Sequence, residues 1–169
     1  APDAVPSVVL MHPPFSVMAN VSGRVADAAY RHVASALARL ALGGRLVTIT
    51  GAGFGPEAPA WRDAFIRLQA RGRVVFSAAV DGAVYAKHGT TIDTRLTVID
   101  KLPADDPGIF PVSLGIAPDV ATLIGWIEAQ VPPRLPVSLP KIVVSASATA
   151  PKTVRGYLAR SAATRSVAA

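Results

Sequence analysis

The apolar positions of this chain change period several times, and each change marks an element. Val8 to Met11 is an unbroken apolar run that stops at His12 and a double proline. It reads as a short strand buried on both faces, as central parallel strands are. From Arg24 to Leu42 the period lengthens. Val25, Ala29, Val33, Leu37 and Leu40 form one helical stripe, and Gly43-Gly44 ends it. Arg45–Thr50 (RLVTIT) reads as a second strand. Pro59–Arg71 reads as a second helix, with Trp61, Phe65 and Leu68 on one face and Gly72 as its stop. Arg73–Val80 (RVVFSAAV) is a third strand. Thr91–Lys101 alternates through Ile92, Thr94, Leu96 and Val98, which predicts a fourth, half-buried strand.

The order strand, helix, strand, helix, strand, strand predicts an α/β fold with a parallel sheet. Its last two strands, joined by a short loop, form an antiparallel pair. Four strands and two long helices are few for a doubly wound domain, so the chain reads as the second half of one. After Pro103 the texture changes. Residues 104–117 are loop-like, and Pro118–Val131 predicts a third helix. Pro118 falls in its first turn, and Val120, Leu123, Ile124, Ile127 and Val131 share one face. Pro132-Pro133 ends it. From Ser138 the residues are small and basic, and large apolar side chains are few apart from Ile142-Val143-Val144; residues 145–169 read as a mobile tether. The expected divisions are 1–103, 104–137 and 138–169.

Composition narrows the class. The chain has 169 residues, 51% of them hydrophobic and 17% charged, enough for one domain with a real core and too apolar for a disordered chain. Apolar runs are broken by Arg, Gly or Pro, so no membrane span is expected, and the N-terminus lacks the pattern of a signal peptide. With no cysteine, disulfides and thiolate metal sites are excluded. A cytoplasmic protein is the expectation. The net charge of +6 is uneven: residues 1–103 carry eleven basic against seven acidic side chains, residues 104–137 one against four, and residues 138–169 five against none. Basic character suits a polyanion such as nucleic acid, though solvated helix faces give the same count.

The first candidate for chemistry is His12-Pro13-Pro14-Phe15. An exocyclic amine on a base is a poor nucleophile because its lone pair is delocalised. A protein activates it by accepting both N–H hydrogens, from a side chain and from the next backbone carbonyl. Prolines hold that backbone extended, and an aromatic stacks on the flipped base. The carboxyl end of a central strand is where open α/β sheets bind ligands. His12 fits in part: a neutral imidazole offers one acceptor nitrogen and a protonated one none. The plainer alternative is a strand ending in a rigid turn.

Two further stretches carry candidate chemistry. In TITGAGFGPEAPAW, residues 48–61, a strand leads to Gly51, Gly53 and Gly55, then a helix, then a strand ending at Asp81, which imitates a dinucleotide fingerprint. The spacing fails: the third glycine comes one position early, and Pro56 and Pro59 delay the helix. In YAKHGTT, residues 85–91, Lys87, His88 and Thr90 surround a glycine and suit contact with a phosphate or base, or are ordinary polar residues of a connection. His32 lies mid-helix. Scattered histidines without cysteine predict no metal site. Arg62, Arg67 and Arg71 fall on the polar side of their helix and read as a solvated face.

The segments MHPPFS, ARLALGGRLVTIT, PAWRDAFIRLQARGRVV and YAKHGTTIDTRLTVIDK together resemble the NPPF group of S-adenosylmethionine-dependent methyltransferases, above all the N6-adenine DNA methyltransferases. The resemblance covers residues 8 to about 103. The runs DGAVYAKHGTTIDTRLTVIDKLPADDP and APDVATLIGWI are similar, more closely, to the methyltransferase-like portion of bacterial strawberry-notch-like helicase–methyltransferase proteins. The resemblance implies the C-terminal half of a Rossmann-like methyltransferase fold. It implies a catalytic role for His12, Pro13, Pro14 and Phe15, with substrate contacts from Ser16, Lys87, His88 and Thr90. It implies S-adenosylmethionine as cofactor, DNA as partner, and a helicase domain in the parent protein. The chain departs from the family in two ways. His12 stands where the family has Asn, and the family's Gly-rich cofactor loop and ribose-holding acid precede the Pro-Pro motif, before which only the Val8–Met11 strand and seven residues lie. Weak or no activity of this chain alone is therefore expected. So is a bare apolar strand edge that recruits a partner, as a homodimer or a swapped strand, unless the N-terminal residues or the tail fold back over it. Two rival readings are a non-catalytic nucleic-acid-binding or docking module, and a nucleotide-binding protein using the Gly51–Gly55 loop.

Overall fold

Nine segments of regular structure, seven of them in the order the periodicity predicts, make up a computed structural model that describes residues 5–13 and 26–137. They are β1 (Val8–Met11), α1 (Ala26–Arg39), β2 (Arg45–Gly51), α2 (Pro59–Gln69), β3 (Arg73–Val80), a 3-10 helix (Gly82–His88), β4 (Thr94–Asp100), β5 (Ile116–Ala117) and α3 (Val120–Gln130). The strands form one five-stranded mixed sheet in the order β1-β2-β4-β3-β5. β1 runs parallel to β2, and β5 parallel to β3, while β4 is antiparallel to both its neighbours. The class is α/β.

The helices divide between the two faces. α1 and α2 cover one, where Val33, Leu37, Leu40, Phe65 and Leu68 pack on Leu46, Val74 and Ile99, with Val9 and Met11 at the margin. α3 covers the other, where Leu123 packs with Phe76, Ala78, Val80, Val98 and Ala117. A register shift between Val74 and Phe76 explains how two even-numbered residues of β3 reach opposite faces: one extra residue on a strand reverses the alternation beyond it. Gly44 follows α1 so closely that a Cβ there would lie 2.4 Å from Leu40 and 2.9 Å from the Ser7 carbonyl. Lys101 completes this corner: its Nζ donates to the carbonyls of Ala38 (2.7 Å) and Leu40 (2.8 Å) at the end of α1. Partial burial lowers the amine's pKa below the usual 10.5.

Several expectations are corrected. β4 is not half-buried: Thr97 and Ile99 on one parity and Thr94 and Val98 on the other are all buried, because both faces of the sheet are covered at β4, Ile99 lying in the core under α1 and α2 and Val98 in the core under α3. Its connection to β3 is not a plain short loop but carries the 3-10 helix. β1 is not buried on both faces: it is an edge of the sheet, Val8 is 39% and Leu10 76% exposed, and Val9 and Met11 are only partly buried. β5 has no periodic signal, two residues being too few to show one. Pro118 lies before α3 rather than in its first turn. The cap is Asp119, whose side chain accepts from the Thr122 N–H at 2.7 Å. Of the α3 stripe, Leu123, Ile127 and Val131 pack on the sheet, whereas Val120 and Ile124 are exposed. The reading of residues 138–169 lies outside the described residues.

Candidate functional site

Parallel strands deliver their carboxyl ends, and hence their following loops, to one edge of a sheet. Here that edge gathers the three stretches with candidate chemistry: His12-Pro13 after β1, Gly51–Ala58 after β2, and Asp81–Asp93 after β3. β4 runs the opposite way, so its first residues reach the same edge. Three residues there tie the loops down. The Asp93 Oδ1 accepts from the Gly82 N–H at 2.8 Å, and the Thr94 hydroxyl donates to the Tyr85 hydroxyl at 3.2 Å. The Arg95 guanidinium donates to the Ala52 carbonyl (3.0 Å), the Glu57 carboxylate (2.9 Å) and the Ser77 hydroxyl (3.0 Å).

Arg95 escaped the sequence reading because alternation through Ile92, Thr94, Leu96 and Val98 places it on the outward parity. Ile99 shares that parity with Arg95 and Thr97, and apolar residues on both parities are the available sign of a two-sided strand. Around Arg95 lies a buried polar layer. Thr97 sits opposite Thr48 and Ser77, and the Ser77 and Thr97 hydroxyls are 3.3 Å apart. The hydroxyls of Thr48 and Thr50 are buried and without a hydrogen-bond partner.

The Gly51–Gly55 loop is built as a structural plug. Phe54 is buried, with its ring centroid 4.7 Å from Trp61 and 5.0 Å from Phe65. A Cβ on Gly55 would lie 2.5 Å from the Glu57 carboxylate and 2.7 Å from the Arg95 guanidinium, so that space is already filled. α2 begins only at Pro59 and has no side-chain cap. No glycine of the loop takes a positive φ, and the loop does not present the nest of backbone N–H groups that holds a pyrophosphate.

His12 is exposed and Pro13 buried at the end of β1. Pro14, Phe15 and Ser16 lie outside the described residues. Lys87, His88 and Thr90 are exposed, at the end of the 3-10 helix and just beyond Gly89, whose φ of 79° is the left-handed turn that glycine tolerates. They share an edge with His12 but not a position. β2 and β4 stand between, and three strand spacings amount to roughly 14 Å. Asp81, the residue that imitated a ribose-binding acid, accepts from the Ala83 N–H at 2.7 Å and caps the 3-10 helix.

His32 is exposed on α1. Among the described residues no group of three or more His, Asp or Glu side chains is placed to hold a metal ion, and no helix is long and apolar enough to cross a membrane. Arg62 and Arg67 are exposed on α2 and lie over aromatic rings, 5.7 Å from the Phe110 centroid and 6.0 Å from that of Tyr30. An open cleft of ≈ 520 Å³, lined by Arg73, Val74, Asp105, Asp106, Ile109 and Phe110 among others, lies at the amino end of β3, away from these loops. Gln69 holds its wall, donating to the carbonyls of Pro107 (2.9 Å) and Ile109 (2.7 Å). The cleft is the gap between the 104–111 loop and the end of α3, and none of the candidate residues reaches it.

The described residues do not fit S-adenosylmethionine. The one glycine-rich loop is filled by Phe54, Glu57 and Arg95, and Asp81 is engaged in its own cap. No protein-family model matches this chain, and no curated protein matches it.

Proposed function

We propose that this chain is the substrate side of an amino-methyltransferase of the DNA N6-adenine type, with weak or no activity by itself. The observation that carries this reading is the convergence of the His12-Pro13 strand end with the loops after β2 and β3 on one sheet edge, where open α/β sheets receive ligands. The antiparallel pairing of β3 with β4 supports the same fold. At this edge His12 and the Pro13 carbonyl accept from the exocyclic amine of an extruded adenine. Lys87, His88 and Thr90, roughly three strand spacings away, take the flanking phosphates. S-adenosylmethionine is the methyl donor of this family, and the described residues offer it no site. The chain's own contribution is to orient the amine.

A second reading, a nucleic-acid-binding or docking module without catalysis, rests on His12, a poorer acceptor than an amide. One experiment separates the two. Affinity is measured for two oligonucleotides, one with an unpaired adenine and one with a purine lacking the exocyclic amine. The expected result is roughly tenfold tighter binding to adenine, about 1.4 kcal/mol, lost in His12→Ala. Equal affinity for both would reject amine recognition and leave the binding module. Calorimetric titration with S-adenosylmethionine is expected to give no heat, and micromolar binding would show that the chain holds the cofactor after all.

A further inference from the structure

The open cleft at the amino end of β3 exists because β5 is so short. β5 pairs only with Ala79 and Val80, so the first residues of β3 have no described strand on that side. The loop after β4 stands there instead. It leaves ≈ 520 Å³ between itself, β3 and the end of α3, within the roughly 300–1,000 Å³ of small-molecule sites.

The shape of the cleft is fixed from within. Gln69, fully buried at the end of α2, donates through its side chain to the Pro107 and Ile109 carbonyls and accepts from the Val74 N–H at 3.1 Å. Its backbone carbonyl accepts from the Ala104 N–H at 2.9 Å. One residue thus ties the loop wall to the strand floor. The Phe110 ring in the same wall is held edge-on to Phe65, with centroids 6.4 Å apart. A cleft whose walls are tied in this way is formed before any ligand arrives, which lowers the cost of binding.

The lining combines an apolar wall with charges of both signs. Ile109 is 69% exposed there, and Phe110 and Pro111 continue the wall. Arg73 and Asp105 line the same cleft. The Arg73 N–H donates to the Leu102 carbonyl at 2.8 Å, and Asp105 follows three residues later, within about 10 Å of chain. Yet no ion pair joins the two, and neither side chain bonds to another described residue. Asp106 differs, because its Oδ1 accepts from the Gly108 N–H at 2.7 Å. A guanidinium and a carboxylate that line one cleft without meeting suit a ligand that carries both complementary charges.

We propose that this cleft binds a free amino acid with a large apolar side chain. The ligand's carboxylate faces Arg73, its ammonium faces Asp105, and its side chain lies on Ile109, Phe110 and Pro111. A guanidinium holds a carboxylate through two parallel N–H bonds, and Asp105 accepts from the three donors of an ammonium. A ligand with one charge leaves the other lining charge unmatched. This inference does not depend on the methyltransferase reading.

The test uses the full chain and follows the amide signals of residues 104–111 by NMR. The probes are L-phenylalanine, 2-phenylethylamine, which lacks the carboxylate, and 3-phenylpropionate, which lacks the ammonium. L-phenylalanine is expected to bind with a Kd of roughly 0.1–1 mM, as a ligand of its size in an open cleft should. Each single-charge probe should bind about fivefold more weakly or worse. Arg73→Met and Asp105→Asn should each weaken L-phenylalanine to the same degree, with unchanged amide signals from β2 and β4 showing that the fold is kept. Three outcomes would overturn the proposal. The first is no shift with L-phenylalanine up to about 10 mM. The second is equal binding of either single-charge probe. The third is affinity for L-phenylalanine that either variant leaves unchanged.

Discussion

Arg45 and Asp100 stand directly opposite each other on β2 and β4 and close a two-pronged ion pair, Nε to Oδ1 at 2.7 Å and Nη2 to Oδ2 at 2.9 Å. Asp100 is 1% exposed and the Arg45 side chain 11%. The pair locks the amino end of β2 to the carboxyl end of β4, next to the corner where Lys101 caps α1. Removing one partner strands a charge in the interior. Asp100→Ala is expected to cost about 3–5 kcal/mol, while replacing both residues with apolar ones of similar volume should recover most of that. Urea unfolding of the two single variants and the double variant gives the comparison. A double variant no more stable than the single ones would show that shape, not charge, holds the corner.

Arg95 organises the opposite end of β4. Arg95→Met removes its bonds to Ala52, Glu57 and Ser77. The expected loss is about 2 kcal/mol, moderate because Glu57 is partly in water. The loop of residues 51–57 should loosen before the sheet does. Faster exchange of its amides, with β2 and β4 unaffected, would be the observation; a uniform increase would mean that Arg95 supports the whole core.

The glycine loop gives a contrast between neighbours. Gly53→Val enters open space and should change stability by less than about 0.5 kcal/mol. Gly55→Val must displace Arg95 or Glu57 and should cost about 1–3 kcal/mol. If the loop were a nucleotide cradle, Gly53→Val would abolish nucleotide binding with little effect on stability. A plug predicts no nucleotide binding to lose, which calorimetry with a dinucleotide decides.

Asp119 links α3 to acid. Hydrogen bonding from the Thr122 backbone and side chain holds its carboxyl below the ordinary 3.8. The folded chain therefore favours the carboxylate, and its contribution is complete above pH 3.8 and drains as pH falls through the lower folded value. Asp119→Asn should keep the cap and remove this part of the acid sensitivity, and Asp119→Ala should lose both. Acid titration of α3 amide shifts reads the difference; identical curves for wild type and Asp119→Asn would assign the sensitivity elsewhere.

Much of this architecture is legible in the residues. The stripe Val33-Leu37-Leu40 and the run Arg73–Val80 predict α1 and β3 with little error, because burial of one helical face or of a whole strand writes directly into the period. What local period cannot carry is strand order. Nothing around Thr94–Asp100 says that this strand slides between β2 and β3, since that depends on pairing between residues far apart in sequence, such as Arg45 and Asp100, 55 positions apart. Arg95 was hidden for the same reason, as a charge on an alternating strand reads as solvent-facing until the partners across the sheet are known. Of the candidate site, the sequence singles out the strand end at His12 and the polar residues at 87–90, and the structure brings both to the same end of the sheet. The distance between them follows only from the two strands that separate them.

The central place of β4 also governs how the chain is built. β2 and β3 touch the sheet's middle only through a strand made after both of them. As the polypeptide leaves the ribosome, β1 can pair with β2, but β3 has no place to dock until Asp100 has emerged. A strand made after both of its neighbours is thus the keystone of the sheet. Nascent chains halted before residue 100 should behave as two unjoined pieces, and sheet formation should appear as one late, long-range step rather than by accretion from the amino end.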